Sequence, residues 1–303
     1  MGRVHLAWDP RLRREVALKQ PLDGASHEVQ QRLVREARVA ASLQHPGIVR
    51  VYDSGESAQG TPWYTMELIR GKSLREHIDE AEDTKARLNL LPALLAVCEA
   101  VAYAHNSGII HRDLKPDNLM IGAFGQVQVV DWGLARPVDE GWTQILSNVN
   151  HTTDGAAMGT PAYMSPEQIE GDNVGPASDV WSIGLLLYEL ISGQRAYSAP
   201  TAREVLVQVL AGPPKPLKLV TPNADPGLVA LVERCLQSDP NDRWQHGGEL
   251  ASALGQWLSR RHVAAHTTPK TSWLSLAVVL IVGLVMTGAL YRTYDLGVAL
   301  TQA

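Results

Sequence analysis

Residues 111–118 read His-Arg-Asp-Leu-Lys-Pro-Asp-Asn and place a carboxylate, an ammonium group and an amide within six positions, at Asp113, Lys115 and Asn118. A carboxylate can accept a proton, a lysine can neutralise an anion, and an amide oxygen can bind a cation. Taken singly, each is more often an ordinary loop or capping residue. Because six fixed positions match by chance roughly once in 10^8 windows, we interpret the segment as a catalytic loop.

This segment resembles the catalytic loop of eukaryotic-type protein kinases, in the serine/threonine form that bacteria also carry. The resemblance implies that Asp113 accepts the proton of the attacking hydroxyl, Lys115 steadies the γ-phosphate and Asn118 holds Mg²⁺. Such residue types suit phosphoryl transfer, which depends on positioning and charge neutralisation. It also implies an α+β, two-lobed kinase fold that binds ATP and Mg²⁺ and phosphorylates Ser or Thr of proteins.

A second motif, Asp131-Trp132-Gly133, follows Asp113 by 18 residues at the end of a predicted strand. It is similar to the family's Asp-Phe-Gly, which implies that Asp131 binds the same Mg²⁺, because a hard cation prefers carboxylate oxygen. Trp132 departs from the usual phenylalanine. We expect the larger but still apolar indole to fill the same hydrophobic slot.

Two upstream residues resemble a lysine and a glutamate that the family pairs in its small lobe. Lys19 ends the run Val-Ala-Leu-Lys, and Glu36 follows 17 residues later on a predicted helix. The resemblance implies that Lys19 grips the α- and β-phosphates and that Glu36 holds Lys19 in place. It also implies a nucleotide site with a glycine at the phosphates, a gatekeeper methionine, hinge backbone groups and apolar residues around adenine: Gly2, Val4, Ala17, Met66, Glu67, Leu68 and Met120.

Residues 159–167 resemble the end of the family's activation segment, with Ser-Pro-Glu in place of Ala-Pro-Glu. This implies structural roles for three residues: Glu167 paired with Arg243, and Asp179 anchoring the catalytic loop. Lys115 and Thr160 together favour serine or threonine over tyrosine as the acceptor.

Arg112, directly before Asp113, indicates control by phosphorylation, since an arginine there can bind a phosphothreonine and order the loop. Thr152 and Thr153 are the candidate phosphosites. The alternative interpretation is that both are ordinary polar loop residues.

The small lobe must position these groups, and its pattern is rich in strands. Apolar alternation predicts a β-hairpin over residues 4–19, and helical spacing predicts a helix over 27–43. Strands are predicted over 48–53 and 63–68. The N-lobe therefore extends over about residues 1–68.

The large lobe, about residues 72–260, is predicted to be mainly helical. Helical spacing predicts helices over 88–105 and 179–191 and shorter ones that end near Leu236 and Trp257. A small hairpin is predicted over 119–130. The kinase domain thus occupies about residues 1–260.

Composition agrees with a globular protein of a reducing compartment. The net charge of -5 gives no basic excess that would indicate nucleic acid as a partner. Cys98 and Cys235 lie in apolar helical contexts, which favours packed core thiols over a disulfide or a metal site. No apolar stretch of a secretory signal follows Met1.

An uncharged, mostly apolar stretch of 21 residues, 271–291, predicts one transmembrane helix. More positive charge precedes it than follows it, which places the kinase domain on the cytoplasmic side of the cell (inner) membrane. Residues 261–270 would form a linker and 292–303 a short extracytoplasmic tail. Protein substrates are expected near the membrane, and homodimerisation is left open.

The family's phosphate-covering loop is incomplete here, since only Gly2 and Val4 of its pattern remain and the first strand is missing. Residues 1–4 resemble the second half of that loop, which leaves two alternatives: Met1 is an internal methionine and the loop is completed upstream, or ATP is covered poorly and catalysis is weakened. One alternative function is a membrane-tethered pseudokinase scaffold with weak or no activity. Another is a small-molecule phosphotransferase, which the peptide-docking motifs of residues 159–167 argue against.

Overall fold

The computed structural model describes residues 2–137, 161–172, 174–267 and 287. The chain divides into two compact units, Met1–Leu258 and Ser259–Ala303, and the first contains both predicted lobes. Thr152, Thr153 and Thr160 lie outside the described residues, as does the predicted span over 271–291 except for residue 287.

The first lobe contains a four-stranded antiparallel sheet of order β1-β2-β4-β3. The predicted hairpin is confirmed, with Leu6 opposite Ala17 and Val4 opposite Lys19. This register places Val4 beside the lysine of the predicted nucleotide site. The strands are β1 (Gly2–Asp9), β2 (Arg14–Pro21), β3 (Val51–Glu56) and β4 (Pro62–Met66).

One helix, α1 (His27–Ser42), covers this sheet. It begins at Ser26, whose side chain accepts a hydrogen bond from the Val29 N–H and so caps the helix. Leu33 and Ala37, one turn apart, are buried against Tyr64 of β4. The same helix face carries Glu36, so the packing of α1 sets the position of that carboxylate.

The strand predicted over 48–53 lies three residues further on, because residues 47–49 pair elsewhere. The Val49 N–H donates to Val129 O at 3.2 Å, and the Val129 N–H donates to Gly47 O at 2.8 Å. Val129 belongs to the large lobe. These bonds join the lobes directly, beside the covalent connection through residues 67–70.

The large lobe is mainly helical and holds the main hydrophobic core. Its strands are β5 (Gly71–Ser73), β6 (Ile109–Ile110), β7 (Leu119–Gly122), β8 (Val127–Val129) and β9 (Arg136–Pro137). Its helices are α2 (Leu74–Glu80), α3 (Thr84–Leu88), α4 (Leu91–Asn106), α5 (Pro166–Glu170), α6 (Pro176–Ser192), α7 (Ala202–Leu210), α8 (Leu217–Val220), α9 (Pro226–Cys235) and α10 (Gly247–Thr267).

Helix α6 is buried along almost its whole length and forms the centre of this lobe. At Gly184 a Cβ atom would come within 2.5 Å of the Cys235 Cβ on α9, so glycine allows the two helices to approach. Cys98 on α4 and Cys235 are both free and buried, which confirms the prediction of core thiols. Burial raises the pKa of the Cys98 thiol to about 12.

Among the described residues, the stretch Thr84–Asn106 is long and apolar enough to cross a membrane by length and composition. Its α4 residues Leu91, Leu94 and Val101 are buried in the core, which accounts for the apolar sequence without a bilayer. Helix α10 continues to Thr267, so most of the predicted linker over 261–270 is helical. Residues 260–267 contain good helix formers and no glycine or proline to end the helix earlier.

Candidate active site

Lys19, Glu36 and Asp131 meet at one point of the cleft between the lobes. The Lys19 Nζ lies 2.5 Å from Glu36 Oε1 and 3.2 Å from Asp131 Oδ1. These residues come from β2, from α1 and from the segment after β8. The predicted pairing of Lys19 with Glu36 is therefore present, and it extends to the aspartate of the second motif.

The charges of this group depend on one another, because the three side chains are in contact, with Lys19 and Glu36 largely removed from water and Asp131 partly exposed. Burial disfavours the ammonium of Lys19, yet Glu36 and Asp131 outweigh that effect and raise its pKa. Burial opposes ionisation of Asp131 as well, but Lys19 holds the pKa of that carboxyl below its usual range. For Glu36 burial is stronger than the attraction of Lys19, and its pKa is raised.

Tyr64 is a member of the site that the motifs did not indicate. Tyr64 lies in β4, and its hydroxyl donates a hydrogen bond of 2.7 Å to Glu36 Oε1. Burial and the neighbouring Glu36 carboxylate raise the pKa of Tyr64, so the phenol stays protonated and keeps donating. Strand alternation could have indicated it, since Tyr64 shares a face of β4 with Met66.

The catalytic loop gathers its three predicted side chains around one carboxylate. The Lys115 Nζ lies 2.9 Å from Asp113 Oδ2, and the Asn118 Nδ2 donates to Asp113 O at 2.8 Å and to Oδ2 at 3.2 Å. Burial raises the pKa of Asp113 in spite of Lys115. Asp113 is thereby a better proton acceptor than a solvated aspartate, while Lys115 keeps its charge balanced.

A buried aspartate of α6 fixes the backbone of this loop. Asp179 accepts hydrogen bonds from the N–H groups of His111 and Arg112, each at 2.8 Å, and from His105 Nε2 at 2.9 Å. The Gly247 N–H donates to His105 Nδ1, so Nε2 carries the ring proton. Arg112 has a positive φ of 67°, a strained backbone that these bonds hold in place.

Trp132 is completely buried and lies against His111, with ring centroids 4.6 Å apart in an edge-on arrangement. Its indole N–H donates to Val129 O at 3.2 Å. The His111 Nε2 in turn bonds Val130 O at 3.2 Å. The predicted hydrophobic slot is occupied as expected, and the indole adds a hydrogen bond that phenylalanine has no atom to make.

A cavity of about 280 Å³ lies at the centre of this group. Eight of the predicted site residues line it: Gly2, Val4, Lys19, Glu36, Met66, Asp113, Asn118 and Asp131. The other four predicted nucleotide-site residues do not line this cavity: Ala17, Glu67, Leu68 and Met120.

At the hinge, the Glu67 N–H donates to Arg50 O at 2.9 Å, so the carbonyl oxygen is the backbone group of Glu67 suited to adenine. Gln128 of β8, which sequence reasoning missed, donates from Nε2 to Glu67 Oε2 at 3.0 Å. Ala17 is buried and lies opposite Met66 across β2 and β4. These contacts fix the hinge and the predicted gatekeeper from both lobes.

The residue types and positions in the cavity fit a magnesium nucleotide. Because Asn118 Nδ2 bonds Asp113, the amide oxygen is the atom left to face a cation, and the Asp131 carboxylate provides a second oxygen. Mg²⁺ is commonly held by one or two protein oxygens together with substrate phosphates. The described residues include no group of three or more His, Cys, Asp or Glu that could hold a metal ion.

The predicted clamp of the large lobe is formed by Glu167 and Arg243, both buried. The guanidinium approaches the carboxylate with two bonds of 2.8 and 3.0 Å, and Ser178 Oγ donates to the same carboxylate at 2.6 Å. Burial would raise the pKa of Glu167, but Arg243 holds it below its usual range. This clamp secures the start of α5, where the segment predicted to dock peptides ends.

A second buried cluster supports the same segment and was not predicted. Arg75 of α2 bonds Glu189 of α6 at 2.9 Å and the Tyr163 hydroxyl at 2.7 Å. The Tyr163 hydroxyl also donates to Glu189 at 2.5 Å. Residues 161–163 are thus tied to two helices of the large lobe.

Comparison with known proteins agrees with this geometry. The protein kinase domain family matches residues 1–254. The serine/threonine-protein kinase PknB of Mycobacterium tuberculosis is 36% identical over 259 residues, which is 84% of this chain and 40% of PknB. A probable serine/threonine-protein kinase of Streptomyces coelicolor, SCO3848, is 34% identical over 270 residues, 88% of this chain and 39% of the relative.

PknA of M. tuberculosis is 36% identical over 260 residues, which covers 84% of this chain and 58% of PknA. The chain therefore spans between about two fifths and three fifths of the length of these curated relatives. The matched region contains both lobes and every described residue of the cavity. The chain belongs to the protein kinase family.

Proposed function

We propose that this chain is an ATP-dependent protein serine/threonine kinase. The observation that carries the proposal is the convergence of Lys19, Asp113, Asn118 and Asp131 on one cavity, from three separate segments. A scaffold without chemistry has no need for two carboxylates, a lysine and an amide in that arrangement. The related serine/threonine kinases support the same activity.

In the proposed reaction the substrate hydroxyl attacks the γ-phosphorus of ATP, and ADP leaves with the bridging oxygen. Asp113 orients the hydroxyl and accepts its proton, which its raised pKa favours. Lys115 neutralises charge on the transferred group, and Lys19, held by Glu36, binds the α- and β-phosphates. Mg²⁺, held by Asn118 and Asp131, would neutralise the β- and γ-phosphate oxygens.

Serine or threonine is the proposed acceptor, on account of Lys115 and the threonine at position 160. Autophosphorylation at Thr152 or Thr153 is proposed as the control step, with buried Arg112 beside the catalytic aspartate as the group that responds. Phosphopeptide mapping of active protein tests this step. Finding both threonines unmodified in fully active protein would overturn it.

We also propose a single-pass membrane location with the kinase lobes in the cytoplasm. The support is the uncharged stretch over 271–291 and the excess of positive charge before it. Substrates would then be proteins close to the membrane. Alkaline extraction of membranes from cells that make the full chain tests the anchor, since a spanning helix resists extraction and a peripheral protein is released.

The test of catalysis is transfer of labelled phosphate from Mg-ATP to a generic protein substrate by the full chain. Asp113→Asn is the matched variant, because it keeps the shape of the side chain and removes the proton acceptor. We expect transfer by the wild type at least about 100-fold above the variant, the size typical of a lost general base. Equal background from both would favour the pseudokinase scaffold.

A further inference from the structure

The turn between β1 and β2 presents apolar and basic side chains together at one end of the small lobe. We define residues 8–14 as the hairpin tip. Trp8 is 59% exposed and Leu12 is 64% exposed, although both are large and apolar. Arg11 and Arg13 flank Leu12 in the turn, and Trp8 lies near the end of β1 that leads into it. Such a combination on a protruding turn calls for a partner that offers both apolar and anionic surface.

The positive charge of the hairpin tip is not neutralised by its own residues. Asp9 is already engaged, since its carboxylate lies 3.3 Å from Arg14 Nε and accepts the N–H groups of Arg11 and Leu12. The side chains of Arg11 and Arg13 make no ion pair or hydrogen bond within the part of the chain that the structure describes. One acid against three arginines leaves the tip with a net charge of +2.

The backbone geometry of the turn keeps the side chains of residues 11–13 exposed. Asp9 and Arg14 close the hairpin as a register pair, and Arg13 adopts a positive φ of 51°. Arg14 lies over the Tyr52 ring at 3.7 Å, which attaches the tip to β3. The hairpin tip is therefore a fixed convex feature with a defined orientation on the small lobe.

We propose that the hairpin tip docks on an anionic lipid surface, with Trp8 and Leu12 in the interfacial layer and Arg11 and Arg13 against lipid phosphates. Tryptophan is favoured at that depth, and arginines near an anionic leaflet gain from its negative potential. A convex tip suits a deformable headgroup layer better than a peptide, which needs a groove. Nucleic acid would offer the arginines anionic phosphates but no apolar layer for Leu12, whereas an anionic lipid surface offers both.

This inference rests on the proposed function in one respect, because it requires the predicted span over 271–291 to hold the chain at a bilayer. Docking would then orient the cleft relative to the membrane and select which substrates reach Asp113. The contribution of each arginine corresponds to about fivefold in lipid affinity, so removing both corresponds to about 30-fold.

The experiment uses the full chain carrying Leu12→Cys, labelled with an apolar environment-sensitive fluorophore. Cys98 and Cys235 are buried, so the introduced thiol is the reactive one. The protein is reconstituted in vesicles of phosphatidylcholine with or without phosphatidylglycerol, and a spin-labelled lipid quenches any fluorophore in the interface. Labelled Gln59→Cys, in the exposed turn between β3 and β4, is the control site.

We expect quenching at position 12 in vesicles with phosphatidylglycerol, and none at position 59. Arg11→Gln with Arg13→Gln should lower the affinity of the tip for vesicles with phosphatidylglycerol by about 30-fold, whereas Arg35→Gln with Arg38→Gln, an exposed pair on α1, should leave that affinity unchanged. No quenching at position 12, or equal quenching at both labels, overturns the proposal. Phosphate transfer, measured on the same samples, reports separately on the proposed function.

If the label instead changes on addition of an acidic protein or of nucleic acid and not with lipid, the tip serves another class of partner and the lipid proposal is wrong. The experiment remains informative if the chain does not insert stably into the vesicles, because the fluorophore at position 12 reports contact between the hairpin tip and lipid directly. In that case anionic vesicles added from outside must quench position 12 for the proposal to stand.

Discussion

Replacing Trp132 by phenylalanine removes one hydrogen bond from the motif that carries Asp131 while keeping an aromatic ring in the same slot. The indole N–H donates to Val129 O at 3.2 Å, and the ring lies edge-on to His111. Val129 O also accepts the Val49 N–H, so the change does not leave that carbonyl without a donor. The cost should therefore stay near that of one net hydrogen bond plus the lost volume.

A net hydrogen bond contributes about 1 kcal/mol to stability. The smaller ring leaves a void on the order of 40 Å³, which at roughly 24 cal/mol per Å³ adds about 1 kcal/mol. We expect Trp132→Phe to lower the free energy of unfolding by about 2 kcal/mol. Asp131 directly precedes Trp132 and has a strained backbone, with a φ of 63°. Because a shift of Trp132 moves Asp131 with it, we also expect the affinity for Mg-ATP to fall by up to about fivefold.

Urea unfolding and titration with a non-hydrolysable ATP analogue measure the two effects. Trp181→Phe is the matched control, since Trp181 is equally buried but its indole N–H has no hydrogen-bond partner among the described residues. Trp181→Phe should lower the free energy of unfolding only through the lost side-chain volume and contacts, including part of the interaction of Trp181 with Arg243, whose guanidinium lies 4.8 Å from the ring centroid. Its ATP affinity should stay unchanged.

The reasoning is refuted if Trp132→Phe is no more destabilising than Trp181→Phe, or if both leave analogue binding equal to wild type. Either result would mean that the indole N–H contributes nothing to the position of Asp131. A reduced affinity in both variants would instead show that general loosening of the large lobe, and not the bond to Val129, is responsible.

Two further predictions concern the large lobe. Arg243→Met should lower the free energy of unfolding by about 3–5 kcal/mol, because Glu167 is left buried without its partner, and pairing it with Glu167→Leu should recover much of the loss in urea unfolding. Since burial raises the pKa of Asp113, the acid limb of kcat/KM should lie above that of an ordinary aspartate. Lys115→Met should move the limb to still higher pH, because Lys115 lowers that pKa, and an unmoved limb would exclude Asp113 as the titrating group.

Much of the site could be predicted from the sequence because its key residues lie in short local motifs. The resemblance of Lys19 and Glu36 to a lysine–glutamate pair of the family implied their contact, which measures 2.5 Å, and the resemblance of the motifs that carry Asp113 and Asp131 implied a shared site. The β1–β2 hairpin and α1 also follow from local alternation and helical spacing. In each case the chemistry or the periodicity is contained in a continuous segment.

The residues that were missed act through contacts between distant segments. Tyr64 supports Glu36, and Gln128 bonds Glu67, but a tyrosine in a strand and a glutamine in a hairpin carry no motif. The displacement of β3 has the same origin. Residues 47–49 have the pattern of a strand, and only the tertiary position of Val129 decides that they pair with β8.

The hydrogen bonds of Asp179 have a consequence for the thermodynamics of binding. Residues 111–113 belong to neither helix nor strand, yet two consecutive N–H groups end on a buried carboxylate that is itself held by His105. The loop is therefore preorganised before any ligand arrives, and its conformational entropy is lost during folding. Binding of nucleotide and peptide therefore carries no entropic penalty for ordering this loop. The free energy of their contacts can instead stabilise the transition state.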